Sequence, residues 1–428
     1  MRRTVLSSGW LIVIMLAMRT AGAVAQEPLL ARPDVSAAMA YLERHHQEHV
    51  AKQITIAEIA SPGGQEGKRA QFMRAEFQRV GLTGIEIDPE GNLLGWRRGK
   101  SAKTIVIAAH LDTVFPAGTD VTVKRSGSTF SGPGVTDDAR GLTCLLGLAE
   151  ALNEARISTE RTLLFVADVG EEGLGNLHGV KYLFQKSAFR AQLEAFITID
   201  GTGLDQIGNR AIGSKRYRVT VRGPGGHSSG DFGIVSPIHA LGRVIASVSA
   251  FEVPASPRTT YNVGLIGGGT AVNAVAFESW LEMDMRSEGA AELAALEARF
   301  LAAVRQGIDE ENRFRAKSGT RLTVDTTLVG DRPVAATPDD APLTKAVLRA
   351  TRAMGVVPRL GAGSTDAGAP MSMGIQALSI GGGGEATGVH SLQEKFESVS
   401  AYKGAQRALL AVLAFDESPA SSPARPVR

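Results

Sequence analysis

The chain of 428 residues has little of what marks several large classes of protein. Its only cysteine is Cys144, so an intrachain disulfide is excluded and no pair of thiols is available to a metal. Its 46 basic and 44 acidic side chains leave a formal charge of +2, and no Lys/Arg-rich run is interleaved with aromatics. A nucleic-acid partner therefore has no support. Apart from a short stretch near the N-terminus, long apolar runs of the membrane-spanning kind are absent.

The N-terminus has the three parts of a secretory signal peptide. Arg2 and Arg3 are basic, residues 10–18 are apolar, and Ala23-Val24-Ala25 has the small-residue pattern of a cleavage site. Arg19 ends the apolar run well short of the roughly 20 residues that a membrane anchor needs. We predict a signal peptide over 1–25, cleaved near Ala25, and export without disulfides to the bacterial periplasm or beyond. The mature protein would have no membrane contact.

Strand and helix patterns alternate through the first half of the mature chain, with the first strands predicted over residues 85–96 and 103–109, and this alternation predicts an α/β fold. The apolar run KTIVIAAH, which ends at His110, is typical of a strand buried on both faces, as in a parallel sheet. From Gly213 the pattern changes to β-α-β-β-α-β, with the first helix predicted over Pro237–Ser249. This pattern is typical of a smaller α+β, ferredoxin-like unit with a one-sided antiparallel sheet. We expect a catalytic domain in two parts, 26–212 and 331–415, an inserted lid or dimerisation domain, 213–330, and a disordered tail, 416–428.

Two local features have ordinary structural interpretations. Residues 35–60 predict one amphipathic helix that carries His45, His46 and His49, and their polar neighbours favour a solvated helix face over a metal site. Cys144 lies in the apolar helical segment LTCLLGLA and is predicted to be a buried structural thiol.

Chemistry-bearing residues follow the predicted strands. In open α/β sheets, sites form beyond the carboxyl ends of the strands. The candidates at such places, together with one carboxylate in a glycine-rich turn at a helix start, are His110, Glu171, Glu172, Asp200, His390 and Asp137. Two imidazoles and several carboxylates suit zinc, cobalt or manganese. One histidine for each of two ions, with a shared carboxylate between them, would make a two-metal hydrolytic site.

Nine segments, five of which contain these residues, follow one another in a recognisable order. They are HLDTV (110–114), GVTDDARG (134–141), GEEGLGN (170–176), IDG (199–201), GPGGHSS (223–229), GGGTAVNAV (267–275), DMR (284–286), GSTDAG (363–368) and HSLQE (390–394). The set resembles the M20 zinc metallopeptidases, a group that includes peptidase T, glutamate carboxypeptidases, aminoacylases and succinyl-diaminopimelate desuccinylase. The peptidase T-like members are the most similar in pattern.

The resemblance implies a set of metal ligands. His110 and Asp200 would bind one zinc ion, Glu172 and His390 would bind the other, and Asp137 would bridge the two. Cobalt or manganese could replace zinc.

The resemblance also implies the remaining roles. Glu171 would be the general base that takes a proton from the bridging water and passes it to the leaving amine, and Asp112 would hydrogen-bond His110 and fix its tautomer. His227 would stabilise the tetrahedral oxyanion, usually in the site of the partner subunit of a homodimer. Asn273 and Arg286 would hold the substrate carboxylate, a task that suits the planar guanidinium.

Two positions depart from the family pattern. Ala139 stands two residues past the bridging aspartate, where the family usually has lysine, and Gly368 follows the GSTDA segment, where asparagine is common. Neither departure removes a ligand, and both could alter the shape of the pocket.

Four functions remain open. A dinuclear zinc exopeptidase acting on di- or tripeptides is favoured, and an amidohydrolase acting on N-acyl amino acids would use the same site. A serine esterase is a remote alternative, because Gly226–Gly230 matches the G-x-S-x-G pattern around Ser228. A binding protein with a dead site is disfavoured, because no ligand or base is missing.

Overall fold

A computed structural model of the protein describes residues 28–315 and 319–419. The predicted signal peptide lies outside these ranges, as does most of the predicted tail. Among the described residues, no helix combines the length and the apolar character that crossing a membrane requires.

The helices of the described ranges run from Pro33 to Asp416. They are α1 (Pro33–Arg44), α2 (His46–Ala57), α3 (Gly67–Arg79), α4 (Ala139–Glu154), α5 (His178–Gln185), α6 (Pro237–Ser249), α7 (Ala290–Phe314), α8 (Pro342–Ala353), α9 (Gly368–Ser372) and α10 (Lys403–Asp416). Short 3-10 turns cover Pro28–Ala31, Gly173–Gly175 and Arg190–Gln192.

The strands form one large sheet and three smaller ones. They are β1 (Thr83–Ile87), β2 (Leu93–Arg97), β3 (Ser101–His110), β4 (Lys124–Ser126), β5 (Thr129–Ser131), β6 (Arg161–Asp168), β7 (Leu193–Ile199), β8 (Gln206–Ala211), β9 (Gly213–Arg222), β10 (Gly226–His227), β11 (Thr259–Gly268), β12 (Ala274–Val275), β13 (Glu278–Ser287), β14 (Thr323–Arg332), β15 (Ala335–Ala336), β16 (Arg359–Gly363), β17 (Gln376–Ile380), β18 (Glu385–Thr387) and β19 (Lys395–Glu397).

The large sheet has nine strands, in the order β1-β2-β6-β3-β7-β17-β8-β15, with β16 also paired to β8. Its centre, β6-β3-β7-β17, is parallel throughout. Alternate residues of β3 enter two different cores: Ile105 and Ile107 pack in one, Val106 and Ala108 in the other. Both faces of the sheet are therefore covered, and the prediction of a mostly parallel α/β fold is confirmed.

The second sheet is antiparallel, in the order β11-β13-β9-β14. Exposure alternates along the whole of β13, because α6 and α7 pack on one face only. Leu281 and Met283 lie on that covered face, and Asp284 and Arg286 on the sheet are half-exposed. The sheet β11-β13-β9-β14 is here named the lid sheet. Together with α6 and α7 it forms the predicted β-α-β-β-α-β, ferredoxin-like unit. The exact domain boundaries remain predictions.

Two predicted elements differ from the structure. The single helix predicted over residues 35–60 is two helices, α1 and α2, which meet at His45. The single strand predicted over residues 85–96 is the hairpin β1–β2. Its turn is held by Asp88, whose Oδ1 accepts the amide N–H groups of Glu90, Gly91 and Asn92.

Candidate metal centre

The predicted ligands converge at the carboxyl edge of the parallel strands. His110 is the last residue of β3, and Asp200 follows β7 directly. Glu171 and Glu172 follow β6 after a two-residue turn, and Asp137 precedes the first turn of α4. His390 comes from the loop between β18 and β19 and joins the cluster there.

Asp137 is at the centre of the cluster. Its Oδ1 lies 2.9 Å from His110 Nε2, and its Oδ2 lies 2.8 Å from His390 Nε2. Glu172 Oε1 is 3.0 Å from the same nitrogen of His390. Ligand atoms of His110, Asp137 and Asp200 lie within 4.8 Å of one another, as do those of Asp137, Glu172 and His390. The two groups share Asp137 alone.

Asp112 and Asp138 make hydrogen bonds that hold the segments carrying the candidate ligands. The ring nitrogen Nδ1 of His110 lies 3.0 Å from the carbonyl oxygen of Asp112 and 3.6 Å from its Oδ1. The expected hydrogen bond to His110 is therefore made by the main chain of Asp112. The carboxylate of Asp112 instead accepts the amide N–H groups of Glu171 (3.1 Å) and Glu172 (2.7 Å). Asp138 caps α4, because its Oδ1 accepts the amide N–H of Gly141 at 2.9 Å.

Burial and crowding set the electrostatics of the centre. Burial raises the pKa of Glu171 to about 8, and burial with the charge of Asp137 raises the pKa of Asp200 to about 7. Hydrogen bonds to Asp137 and Glu172 raise the pKa of His390 to about 10. Burial acts to raise the pKa of Asp137, but the hydrogen bonds from His110 and His390 outweigh it and hold that pKa below its usual range. Carboxylates this close together need nearby positive charge.

A cavity of about 390 Å³ opens over the cluster. This volume is in the range of small-molecule sites. Its wall contains Asp137, Glu171, Glu172, Asp200 and His390, together with the guanidinium groups of Arg216, Arg286 and Arg332. Only Arg286 among these three arginines was predicted from the sequence.

The two arginines that sequence reasoning missed belong to the lid sheet. Arg216 lies opposite Asp284 in the β9–β13 ladder, and its Nε is 2.9 Å from Asp284 Oδ1. Arg332 is 4% exposed, and its Nη1 is 2.9 Å from Glu171 Oε1. A charged side chain at the buried end of a strand needs a partner of opposite charge. This requirement is the one signal by which Arg332 could have been identified from the sequence.

Comparison with known proteins identifies the family. The profile of peptidase family M20/M25/M40 matches residues 106–414 of the 428. The chain belongs to this family. It is 24% identical over 240 residues to succinyl-diaminopimelate desuccinylase of Corynebacterium glutamicum, an alignment that covers 54% of this chain and 64% of that one. The chain thus spans less than two thirds of the length of this curated relative.

Solved structures of M20 peptidases share the fold. The aminopeptidase PepT from Bacillus cereus has a TM-score of 0.67 at 21% identity, covering 87% of this chain and 99% of that one. The YXEP protein of Bacillus subtilis, described as a dinuclear metal-binding M20 peptidase, has a TM-score of 0.59 at 16% identity, covering 87% and 99%. Family and fold together support a metal-binding hydrolase.

The donor set of this M20 chain fits two divalent cations. Each oxygen of Asp137 faces a different imidazole, and each half of the cluster has a further carboxylate, Asp200 or Glu172. Nitrogen and oxygen donors without thiolate are those that zinc, cobalt and manganese accept. Glu171 lies beside the cluster, within 4.8 Å of ligand atoms of His110 and Glu172.

Two predicted residues of the M20 site are not brought to the cavity. His227 lies on β10 and is exposed, with its Nδ1 accepting the amide N–H groups of Ser229 and Gly230. Asn273 is also exposed, and its carbonyl oxygen accepts the amide of Ser228 at 3.0 Å. His227 pairs with Ala274 in the separate two-stranded sheet β10–β12, and Asn273 directly precedes that strand. Within one chain they therefore form a separate group.

The geometry around Ser228 is not that of a nucleophile elbow. That motif needs a parallel strand before the serine and a helix directly after it. Here β10 pairs antiparallel with β12, and α6 begins only at Pro237. The serine-esterase alternative has no structural support.

Proposed function

We propose that this protein is a dinuclear zinc-dependent exopeptidase that hydrolyses the amide bonds of di- and tripeptides. The observation that carries the proposal is Asp137, whose two oxygens face His110 and His390 separately inside a cavity that also holds Glu171. This arrangement supports a shared ligand between two ions with a base beside them.

The ligands divide into two sets. His110 and Asp200 would hold one ion, Glu172 and His390 the other, and Asp137 both. When bound, two such ions would supply Lewis acidity toward the substrate carbonyl and would lower the pKa of the attacking water.

Glu171 would act as the general base. Its main chain is fixed through Asp112, and its carboxylate opens on the cavity. It would take a proton from the attacking water and pass that proton to the nitrogen of the leaving amine. Such proton transfer contributes about 10²–10⁴-fold in rate.

A group of lid side chains supports recognition of a substrate carboxylate. Asp284 accepts the Nε–H of Arg216 at 2.9 Å through Oδ1 and that of Arg286 at 2.8 Å through Oδ2. Two guanidinium groups thus share one carboxylate and leave one net positive charge on the cavity wall. The contact of Arg286 with Asp284 is made by Nε, and its two Nη groups take no part in it. This leaves them suited to a bidentate bond to a carboxylate.

N-acyl amino acid hydrolysis is the second candidate. The metal-ligand set and the arginines that would bind a substrate carboxylate suit this reaction equally well. The similarity to a relative named succinyl-diaminopimelate desuccinylase favours this candidate. Peptide hydrolysis is preferred on the resemblance of the motifs to peptidase T-like sequences. We further propose that the protein is a homodimer, exported after cleavage near Ala25 to the periplasm or the medium.

One panel of substrates tests the proposal. Enzyme loaded with zinc is offered dipeptides, tripeptides, C-terminally amidated dipeptides and N-acetyl and N-succinyl amino acids. We expect hydrolysis of the free peptides, loss of activity with 1,10-phenanthroline and recovery when zinc or cobalt is added back. Full activity in the chelator would contradict the metal-dependent mechanism, and cleavage of the N-acyl amino acids alone would favour the second candidate.

Substitution of Glu171 distinguishes the role of a general base from that of a metal ligand. Glu171→Ala should retain both ions but lose about 10³-fold in kcat, since a general base contributes up to about 10⁴-fold. Glu90→Ala, which removes an exposed partner of His178, is the matched control and should leave kcat unchanged. Metal content is measured alongside, so that loss of ions is not mistaken for loss of the base.

A further inference from the structure

The buried guanidinium of Arg332 contacts Glu171 at two places. Arg332 Nη1 donates to Glu171 Oε1 at 2.9 Å, and Nη2 donates to the carbonyl oxygen of Glu171. The side chains are 5% and 6% exposed. A buried ion pair of this kind resists separation, because moving either partner leaves an unpaired buried charge.

A third contact fixes the arginine itself. Arg332 Nη1 also donates to Ser364 Oγ at 3.0 Å, and Ser364 belongs to the loop after β16. The guanidinium therefore joins three elements: the end of β14, the turn after β6 and the loop after β16. Its orientation is set by the fold before any substrate arrives.

The opposite side of Glu171 is held by Asp112, which accepts its amide N–H at 3.1 Å. The main chain of the glutamate is thus bound at both its N–H and its C=O. With the main chain and Oε1 fixed, only Oε2 is left to meet the attacking water. This leaves the carboxylate little rotational freedom.

Arg332 also occupies a particular place in the fold. It is the last residue of β14, and after two intervening residues β15 joins the large sheet. The preceding Asp331 is bound to the same turn and to α5, because its amide N–H donates to Asn176 Oδ1 at 2.8 Å and its carbonyl accepts Lys181 Nζ, on α5, at 2.7 Å. The point where the chain leaves the lid sheet is thereby tied to the segment that carries Glu171.

We propose that Arg332 is a positioning residue that holds the Glu171 carboxylate in one orientation and ties that orientation to the exit strand of the lid sheet. The proposal rests on the proposed function, in which Glu171 is the general base. Among the described residues, Arg332 hydrogen-bonds through its side chain to Glu171 and Ser364, and neither is a candidate metal ligand.

The test compares Arg332→Ala and Arg332→Lys with wild type, each loaded with zinc. Because a misplacement of about 1 Å can cost about 100-fold in rate, we expect kcat of Arg332→Ala to fall by about that factor. KM should change less than about threefold, since the same principle assigns the loss to alignment and not to binding. Bound zinc should be unchanged. Arg332→Lys should recover part of kcat, and so should guanidinium chloride added to Arg332→Ala below denaturing concentrations.

Two controls make the result specific. Guanidinium should not rescue Glu171→Ala, which lacks the group to be positioned. Arg218→Ala removes another arginine–glutamate pair of the lid sheet, 2.7 Å between Nη1 and Glu282 Oε1, and should leave kcat unchanged. Loss of zinc, or an equal loss of kcat in the alanine and lysine variants without rescue, would assign Arg332 a merely structural role and overturn the proposal.

A crystal structure of zinc-loaded Arg332→Ala gives a readout that does not depend on activity. We expect the Glu171 carboxylate to leave the position it has beside residue 332 or to adopt more than one orientation. An unmoved, single orientation would overturn the positioning role. If the wild type hydrolyses no substrate of the panel, the proposed function fails, yet this structural comparison still decides whether Arg332 orients Glu171.

Discussion

At the scale of single residues, Asp137 differs from the other candidate ligands because both of its oxygens face an imidazole. Asp200 groups only with His110 and Asp137, whereas Glu172 groups with Asp137 and His390 and also with His110 and Glu171. If the two halves hold separate ions, substitution at the shared position and substitution at an unshared one should have different effects.

We predict that Asp137→Asn weakens binding of both ions, whereas Asp200→Asn weakens mainly one. Loss of an outer partner of a ligand costs about 10–100-fold in affinity, and loss of a ligand should exceed that. Titration with zinc, followed by elemental analysis, measures the number of ions bound. Asp120→Asn, at an exposed position, is the control. Equal loss in the Asp137 and Asp200 variants would contradict the bridging role.

Arg286 is the residue best placed to bind a substrate carboxylate. A hydrogen bond to a charged group is worth about 1.5–3 kcal/mol, so Arg286→Ala should lower kcat/KM for free-acid peptides by roughly 10–100-fold. C-terminally amidated peptides should show almost no change, because they lack the carboxylate. Kinetics with each acid and amide pair measure the difference.

The control for Arg286 is Arg222→Ala, which removes an exposed pair with Glu278 from the same sheet. An equal loss on acids and amides in Arg286→Ala would assign Arg286 to packing of the lid. Asn273, predicted to share the task, lies outside the cavity, so Asn273→Ala should affect turnover only through a second subunit.

The positions of single residues could be predicted from the sequence where the residue lies at or just after the end of a strand. The convergence of His110, Asp200 and the Glu171–Glu172 pair could be anticipated because parallel strands end at one edge. Prediction from the sequence failed for His49, which was predicted to be solvated but is 9% exposed and lies 2.7 Å from Glu150. Its partner is 101 residues away in the sequence, and no local pattern encodes such a pair.

At the scale of elements, the loop that carries Asp137 depends on the loop that carries His390. Glu394 accepts the amide N–H groups of Gly134 (3.1 Å), Thr136 (2.7 Å) and Asp137 (3.3 Å), as well as the hydroxyl of Thr136. The carboxylate is fully buried. The turn before α4 and the segment after β18 are thereby held together, with one ligand on each.

We predict that Glu394→Gln weakens zinc binding by about 10–100-fold, as loss of an outer partner of a ligand does. An amide offers only one oxygen to these donors and turns N–H groups toward them, so unfolding free energy should fall by about 1–3 kcal/mol. Zinc titration and urea unfolding of the metal-free protein measure the two effects. Glu385→Gln, exposed on β18, is the control, and unchanged affinity in Glu394→Gln would contradict the prediction.

The periodicity of apolar residues predicted whether a segment is a helix or a strand. It was a poorer guide to where an element is interrupted. The helix over Pro237–Ser249 has its predicted bounds, because Pro237 and the capping Ser236 mark its start locally. The hairpin of β1 and β2 was predicted as one strand, although the turn-forming sequence DPEGN (88–92) lies between them. The break at His45 has no glycine or proline to mark it.

At the scale of the whole molecule, the lid sheet is joined to the large sheet by neighbouring strands. β8 leads into β9 across residue 212, and β14 leads toward β15, with Arg332 paired to Ser214 in the ladder. The exposed His227 and Asn273 lie on the lid, away from the metal cavity of their own chain. His227 is therefore not among the residues that line the cavity of its own chain, and we expect its predicted catalytic role to be exerted in the site of a second subunit.

Strand β11 forms an edge of the lid sheet, with Leu265 and Ile266 more than half exposed. An open edge with apolar side chains is suited to pairing with another chain. This geometry agrees with the predicted homodimer and gives the expected shared site a physical basis. In such a dimer, each metal centre would receive its histidine from the partner.

Mixing two inactive variants tests this arrangement. We predict that His227→Ala and Glu171→Ala proteins, each inactive alone, regain activity when they exchange subunits, because a heterodimer has one site with both groups intact. With equal amounts and random exchange, about a quarter of wild-type activity is expected, since about half of the dimers are mixed and each has one complete site. Size-exclusion chromatography with light scattering verifies the dimer. Activity that stays at the sum of the separate variants, despite proven exchange, would place His227 outside the catalytic machinery.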